Sequence, residues 1–195
     1  VGFNSSLFKF DMDISQDELL KEIIKINQNQ DIDGFIVQLP LPSNIEQEKI
    51  LTQISPNKDV DGFHPYNYGK MTLGIDTFLP ATPAGIVELI KRYKIELSGK
   101  KCLVIGRSQI VGLPISILLG QNKSYANATV TVAHSRTKNL DLLCASSNII
   151  ISAIGIPNFL KSSMVSDKTV IIDVGISRIE DSTSPRGYKI VGDVD

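Results

Sequence analysis

The chain has 195 residues, 42% of them hydrophobic and 21% charged, with a formal net charge of −1. That size and balance suit a soluble globular protein of one large or two small α/β domains with a buried core. No basic excess points to nucleic acid, and no apolar run approaches the roughly 20 residues of a membrane helix.

Cys102 and Cys144, His64 and His134 stand at no metal-ligand spacing, so no metal site is expected. Reduced cysteines imply a cytoplasmic protein. Val1 is not methionine, and residues 192–195 follow a strand-like run, so both ends read as cut from a longer chain.

In chain order, residues 7–10 read as a short strand. Ser15 and Glu18 form a capping box, opening a helix with Leu19, Leu20, Ile23, Ile24 and Ile26 mostly on one side. Residues 34–38 read as a buried strand, stopped by Pro40 and Pro42. Asn44 and Gln47 suggest a second box, ahead of a helix to about Ile54. Residues 55–79 read as a long irregular stretch, functional or disordered. Thr82 and Pro83 then suit an N-cap and first helical position, with Ile86, Val87, Leu89, Ile90 and Tyr93 facing the core.

From Gly99 onward, apolar strands at 101–105, 129–133, 148–152 and 169–174 alternate with helices at 112–120 and 139–146. Such continuous apolar strands imply a parallel sheet covered on both faces. The fold class expected is α/β. A Rossmann-type parallel-sheet domain spans 98–195, and a partial α/β domain with only two visible strands spans 1–97.

Residues 106–112 (GRSQIVG) lie between a buried strand and a helix, where such a domain binds phosphate through backbone N–H groups. Gly106 suits the sharp turn and Gly112 a close helix–strand approach. A G-x-G-x-x-G pattern would need glycine where Ser108 and Val111 stand. The second strand ends in His134-Ser135-Arg136-Thr137, without the acid that accepts from a ribose 2′-hydroxyl. Ser135, Arg136 and Arg107 suit a 2′-phosphate instead, which favours NADP over NAD; the alternative is that both arginines are solvated surface residues. His134 reads as a packing or adenine-edge residue. Gly155 and Gly175 follow the third and fourth strands towards the same crevice.

Three further segments are polar or proline-rich without a packing reason: VQLPLP at 37–42, KDVDGFHP at 58–65 and PATPAGI at 80–86. Gln38 at a strand end needs partners. Asp61, read alone, is equally a turn aspartate. Taken with GRSQIVG, AHSRTKNL and VIIDVGISR, these segments resemble the bifunctional methylenetetrahydrofolate dehydrogenase/cyclohydrolases, in order and over nearly the whole chain.

The resemblance implies NADP-dependent oxidation of 5,10-methylenetetrahydrofolate to the methenyl form, then hydrolysis to 10-formyltetrahydrofolate, in one-carbon metabolism and purine biosynthesis. It implies that Asp61 binds the pterin, that Gln38 orients the reacting groups, and that Val37 and Leu39 line the folate site. Gly106, Arg107 and Ser108 match the phosphate loop, Ser135 the 2′-phosphate contact and Ile176 a nicotinamide-side contact. A homodimer is implied, with 187–191 as the candidate edge strand. The family's Tyr-x-x-x-Lys motif and its Pro-Gly-Gly-Val-Gly-Pro segment are not in this sequence. Lys21, Lys58 and Lys70 do not occupy the matching context, so these 195 residues alone are expected to bind NADP without cyclohydrolase activity. Two other readings share the cofactor domain: a shikimate- or amino-acid-type dehydrogenase, and a non-catalytic NADP-binding module.

Overall fold

The computed structural model describes residues 2–195. The first helix forms where helical spacing and a cap coincide: α1 (Gln16–Gln28) starts with Ser15 Oγ accepting from Glu18 N at 3.3 Å while Glu18 accepts from Ser15 N at 3.0 Å. It buries Leu19 and Ile23, whereas Ile24 points outward. The next helix, α2 (Gln47–Gln53), follows Glu46 and has no side-chain cap. Asn44 is not its cap; its Nδ2 donates to Ile14 O at 3.0 Å, tying the two segments together.

The stretch 55–79 is not wholly irregular, because it contains α3 (Pro65–Thr72). Only Met71 among its apolar residues is fully buried, so apolar periodicity gives no signal. The signal is at its start. His64 Nδ1 accepts from Tyr66 N at 3.0 Å, and Pro65 holds the first position, where no N–H is missed. The following helix, α4 (Ala81–Arg92), begins ahead of Thr82 with Pro80 as its cap residue. Pro83, Ile86, Val87 and Ile90 form its buried face. Leu89 and Tyr93 were expected in the core but lie exposed: Leu89 falls off that stripe, and Tyr93, although in phase with it, is the C-cap residue beyond the end of the helix.

Neither strand expected in the first half forms a ladder. Residues 7–10 pair with nothing among the described residues. Residues 34–38 make one parallel bridge, Phe35 with Asp59, and Ile36 is 56% exposed rather than buried. Strand propensity is mostly a preference for packed neighbours, and here one bridge is all the neighbour there is.

The second half follows its apolar pattern closely. Strands β1 (Lys101–Ile105), β2 (Thr129–Ala133), β3 (Ile149–Ser152) and β4 (Val170–Asp173) form one parallel sheet in the order β2-β1-β3-β4. Helices α5 (Gly112–Gly120) and α6 (Leu140–Ala145) make the crossovers. Alternate residues face opposite layers, as a strand requires. Cys102, Val104, Ile149 and Ile151 pack with α3, α4 and α5 through Met71, Ile86, Ile90, Ile115 and Leu119. Leu103, Ile105 and Ile150 pack on the other face with Cys144 of α6 and Leu160. A separate cluster of Leu19, Ile23, Ile45, Ile50 and Ile54 holds α1 to α2.

Beyond the sheet, β5 (Ser177–Glu180) pairs antiparallel with β6 (Tyr188–Val191), from Ser177↔Val191 to Glu180↔Tyr188. The expected edge strand at 187–191 is therefore one arm of a hairpin. Both cysteines are free and buried. Burial pushes the Cys102 thiol up to about 12, and burial followed by the Asp141 charge raises that of Cys144. Among the described residues no helix is long and apolar enough to cross a membrane.

Candidate nucleotide and substrate site

Register places the sheet's loops along one edge. Ile105 is opposite both Ala133 and Ser152, and Ser152 is opposite Asp173. The four strands thus end together, and the segments beginning at Gly106, His134, Ala153 and Val174 leave from the same side. From β1 the chain crosses to β2 on one flank and then returns to β3 on the other. Such a switch in strand order opens a crevice at the carboxyl ends of the strands.

The turn after β1 is shaped by two close approaches. Gly106 has φ +118°, and a methyl group on it would overlap the Ala153 carbonyl. A methyl on Gly112 would overlap the Gly106 carbonyl, so the start of α5 rests against the turn itself. Ser108 Oγ accepts from Val111 N at 3.2 Å and Gly112 N at 3.3 Å, acting as a cap for α5. Among the described residues the Ser108 hydroxyl donates to no group, which leaves its hydrogen for a ligand. Among the described residues, the backbone amides of Arg107, Ser108, Gln109 and Ile110 donate to no protein group. Unclaimed N–H groups at the positive end of a helix form an anion cradle.

After β2, His134 Nδ1 accepts from Arg136 N at 3.1 Å, and His134 N donates to Thr137 Oγ1 at 2.9 Å. The imidazole braces a turn, and Ser135 and Arg136 stand exposed on it. After β4, Val174, Gly175 and Ile176 form one wall of a cleft of about 440 Å³, with Thr82, Gly85 and Leu89 of α4 opposite. Ile176 is 80% exposed there.

In the first half, Phe35 N donates to Lys58 O at 3.0 Å and Phe35 bridges Asp59 in parallel. The two segments leave that bridge in the same direction, one through Val37, Gln38 and Leu39, the other through Asp61. Gln38 is exposed, and among the described residues its Nε2 donates only to Leu39 O, at 3.1 Å. Asp59 is buried and accepts from Phe63 N (3.2 Å), His64 N (2.9 Å) and Asn67 Nδ2 (2.8 Å), which closes the loop around Asp61. Asp61 itself is half-buried, and its carboxylate has no hydrogen-bond partner among the described residues. Burial raises its carboxyl above the ordinary range, and the Asp59 charge adds to the effect. Next to it, Gly62 abuts the backbone of residues 78–80, where an added Cβ would lie 2.7 Å from Phe78 O. That backbone leads directly into α4 and hence to the cleft at Ile176.

The structure therefore groups Gly106, Arg107, Ser108, Ser135, Arg136 and Ile176 along the strand ends. It sets Val37, Gln38, Leu39 and Asp61 on two adjoining segments, linked to that edge through α4. Lys58 is occupied elsewhere, its Nζ donating to Ile26 O (3.2 Å) and Asn29 O (2.5 Å) at the end of α1. Two buried aspartates were not singled out from sequence, Asp59 and Asp193. The only sign of either was its place in a repeated Asp-Val-Asp run, at 59–61 and 193–195.

The sequence pattern described as "Tetrahydrofolate dehydrogenase/cyclohydrolase, NAD(P)-binding domain" matches residues 80–195, and that of the catalytic domain of the same name matches residues 1–61. The bifunctional protein FolD of Flavobacterium psychrophilum is 57% identical over 195 residues, covering 100% of this chain and 66% of the relative. The chain thus spans just under two thirds of the length of that curated relative. The crystal structure of the bifunctional FolD methylenetetrahydrofolate dehydrogenase/cyclohydrolase from Campylobacter jejuni matches with a TM-score of 0.86 and 45% identity, over 94% of this chain and 62% of that one. The FolD enzyme of Trypanosoma brucei, solved with NADP cofactor and inhibitor, matches with a TM-score of 0.86 and 33% identity, over 94% and 62%. Matched in both its halves, the chain belongs to the tetrahydrofolate dehydrogenase/cyclohydrolase family.

Proposed function

We propose that this chain is the folate- and NADP-binding portion of an enzyme that oxidises 5,10-methylenetetrahydrofolate to 5,10-methenyltetrahydrofolate and hydrolyses the product to 10-formyltetrahydrofolate. The observation that carries the reading is the half-buried Asp61 carboxylate, left without a donor among the described residues in a family that handles folate. A carboxylate in that state gains most from a ligand offering two parallel N–H donors, as the amino group and adjacent N–H of a pterin do. Gln38, on the adjoining segment, orients the reacting groups, and Val37 and Leu39 line the ring site.

The turn at Gly106 fits a dinucleotide. Its four unclaimed amides suit a pyrophosphate, and added methyl groups at Gly106 or Gly112 would close the turn. When bound, NADP supplies the two-electron acceptor. The protein's part is to hold both ligands in register: Gly106, Arg107 and Ser108 at the phosphates, Ser135 and Arg136 at the 2′-phosphate, and Ile176 beside the nicotinamide end. Residues 1–97 serve the folate and 98–195 the nucleotide. A cytoplasmic homodimer completes the reading, supported by the buried free thiols and by the exposed strand β6.

The test is a paired assay on the full-length protein, with methylenetetrahydrofolate and either NADP or NAD. Reduced nicotinamide and methenyltetrahydrofolate are followed together by their ultraviolet bands. NADP-dependent turnover with little methenyl build-up is expected. Absence of turnover with either cofactor would overturn the folate assignment. For residues 1–195 alone, NADP binding without cyclohydrolysis is expected.

A further inference from the structure

Asp193 is fully buried, yet among the described residues no lysine, arginine or histidine pairs with it. An isolated buried carboxylate is tolerated only when hydrogen-bond donors surround it. Its donors all come from one place. Oδ2 accepts from Ser152 Oγ at 3.1 Å and Ile154 N at 2.9 Å, and Oδ1 accepts from Ile156 N at 3.0 Å. Ser152 ends β3, and the two amides flank Gly155 in the loop beyond it. Asp173, at the end of β4, holds the aspartate's own backbone: its Oδ1 accepts from Asp193 N at 2.9 Å and its Oδ2 from Val194 N at 3.1 Å.

The loop gripped this way is the wall of the phosphate turn. Ala153 N donates to Ile105 O at 2.9 Å, and its carbonyl lies where a side chain on Gly106 would have to go. Ile154 N and Ile156 N have no other acceptor among the described residues. A continuous path of contacts therefore runs from the Asp193 carboxylate through residues 153–156 to Gly106.

We propose that Asp193 is a positioning residue for the nucleotide: by taking the Ser152 hydroxyl and the amides of Ile154 and Ile156, it fixes the loop that shapes the Gly106 turn. It touches neither cofactor nor folate itself. The proposal rests on the NADP reading above. It also separates the two ligands, because the Asp61 side of the molecule shares none of these bonds. Asparagine in its place keeps the volume but turns one acceptor into a donor that faces an amide. Alanine removes all three bonds, and Ser152→Ala removes one.

The experiment compares Asp193→Asn and Ser152→Ala with the unmutated full-length protein. The readouts are NADP dissociation constant by calorimetry, KM for each substrate, and Tm. Asp193→Asn is expected to raise the NADP dissociation constant and KM about tenfold, with KM for methylenetetrahydrofolate within about twofold. Ser152→Ala is expected to move the same constants in the same direction by about threefold, and it decides the matter if Asp193→Asn does not fold. NADP affinity within twofold of the unmutated protein would overturn the proposal. So would a parallel loss of both ligands in step with Tm, which is what a merely structural aspartate would give. Failure of the unmutated protein to bind NADP is a different result, and it would remove the cofactor reading together with this one.

Discussion

At the scale of single residues, Asp61 shows what a half-buried carboxylate without a partner among the described residues does to the pH dependence of the fold. Its carboxyl binds a proton more tightly in the fold than at the ordinary value of 3.8, first through burial and then through Asp59. The stabilising contribution is therefore full below about pH 3.8, and it is lost as pH rises through the folded-state pKa. Asp61→Asn has no charge to bury. We expect thermal melts between pH 3 and 7 to give the variant a smaller fall in Tm with pH than the unmutated protein, and an equal or higher Tm at pH 7. Folate affinity should fall about 100-fold or more, since two charge-assisted hydrogen bonds at about 1.5–3 kcal/mol each are weakened. NADP affinity should not change. A lower Tm at pH 7 would mean that the charge is compensated in the fold. Asp61 was visible in the sequence only through the resemblance of its motif, because an aspartate beside glycine is an ordinary turn residue. Asp59, two positions away, gave no sign of burial, since that depends on donors from Phe63, His64 and Asn67 that only the closed loop brings together.

At the scale of elements, the contrast between β3 and α1 separates core burial from local capping. Ile151 is fully buried in the layer beneath α4 and α5. Ile151→Ala is expected to destabilise by about 2–5 kcal/mol through lost burial and the cavity left behind. Ser15→Ala removes half of an exposed capping box and should cost about 1 kcal/mol. Urea unfolding of the two variants checks the order, and a larger loss for Ser15→Ala would place the stability-limiting unit in α1. The parallel strands were legible because a doubly covered strand needs an unbroken apolar run, and β3 is three isoleucines long before its serine. Helix α3 was not, because its sequence PYNYGKMT turns only one large apolar side chain fully inward. The hairpin arm SRIE of β5 was hidden for a related reason. Four alternating residues that include two charges do not stand out from a loop until β6 pairs with them.

At the scale of the whole molecule, the halves differ in how fully they are partnered. The four-stranded sheet is covered on both faces, while residues 34–38 rest on a single bridge. The candidate site was legible to the same uneven degree. The strand-end positions of Gly106, Ser135 and Ile176 follow from a pattern of strands, but the link from Asp61 to the cleft runs through residues 78–80, a connection no periodicity encodes. For association, β6 presents Ile190 at 54% exposure beside the Arg178–Tyr188 pair, whose guanidinium lies 4.8 Å from the ring centre. Sedimentation of the full-length protein should show a dimer, and Ile190→Lys should weaken it at least about tenfold by placing a charge in the contact. A monomer at every concentration would rule the dimer out.

The grip of Asp193 on Ser152 joins residues 41 positions apart in the chain. A ribosome adding about 5–20 residues each second delivers the aspartate roughly 2–8 s after the serine. Through the second half of that interval, once β4 has been made, all four strands of the sheet can already be in place, while the amides of Ile154 and Ile156 are left to water. The sheet can therefore be assembled before the loop beyond β3 is gripped, so architecture precedes the fine shape of the Gly106 turn.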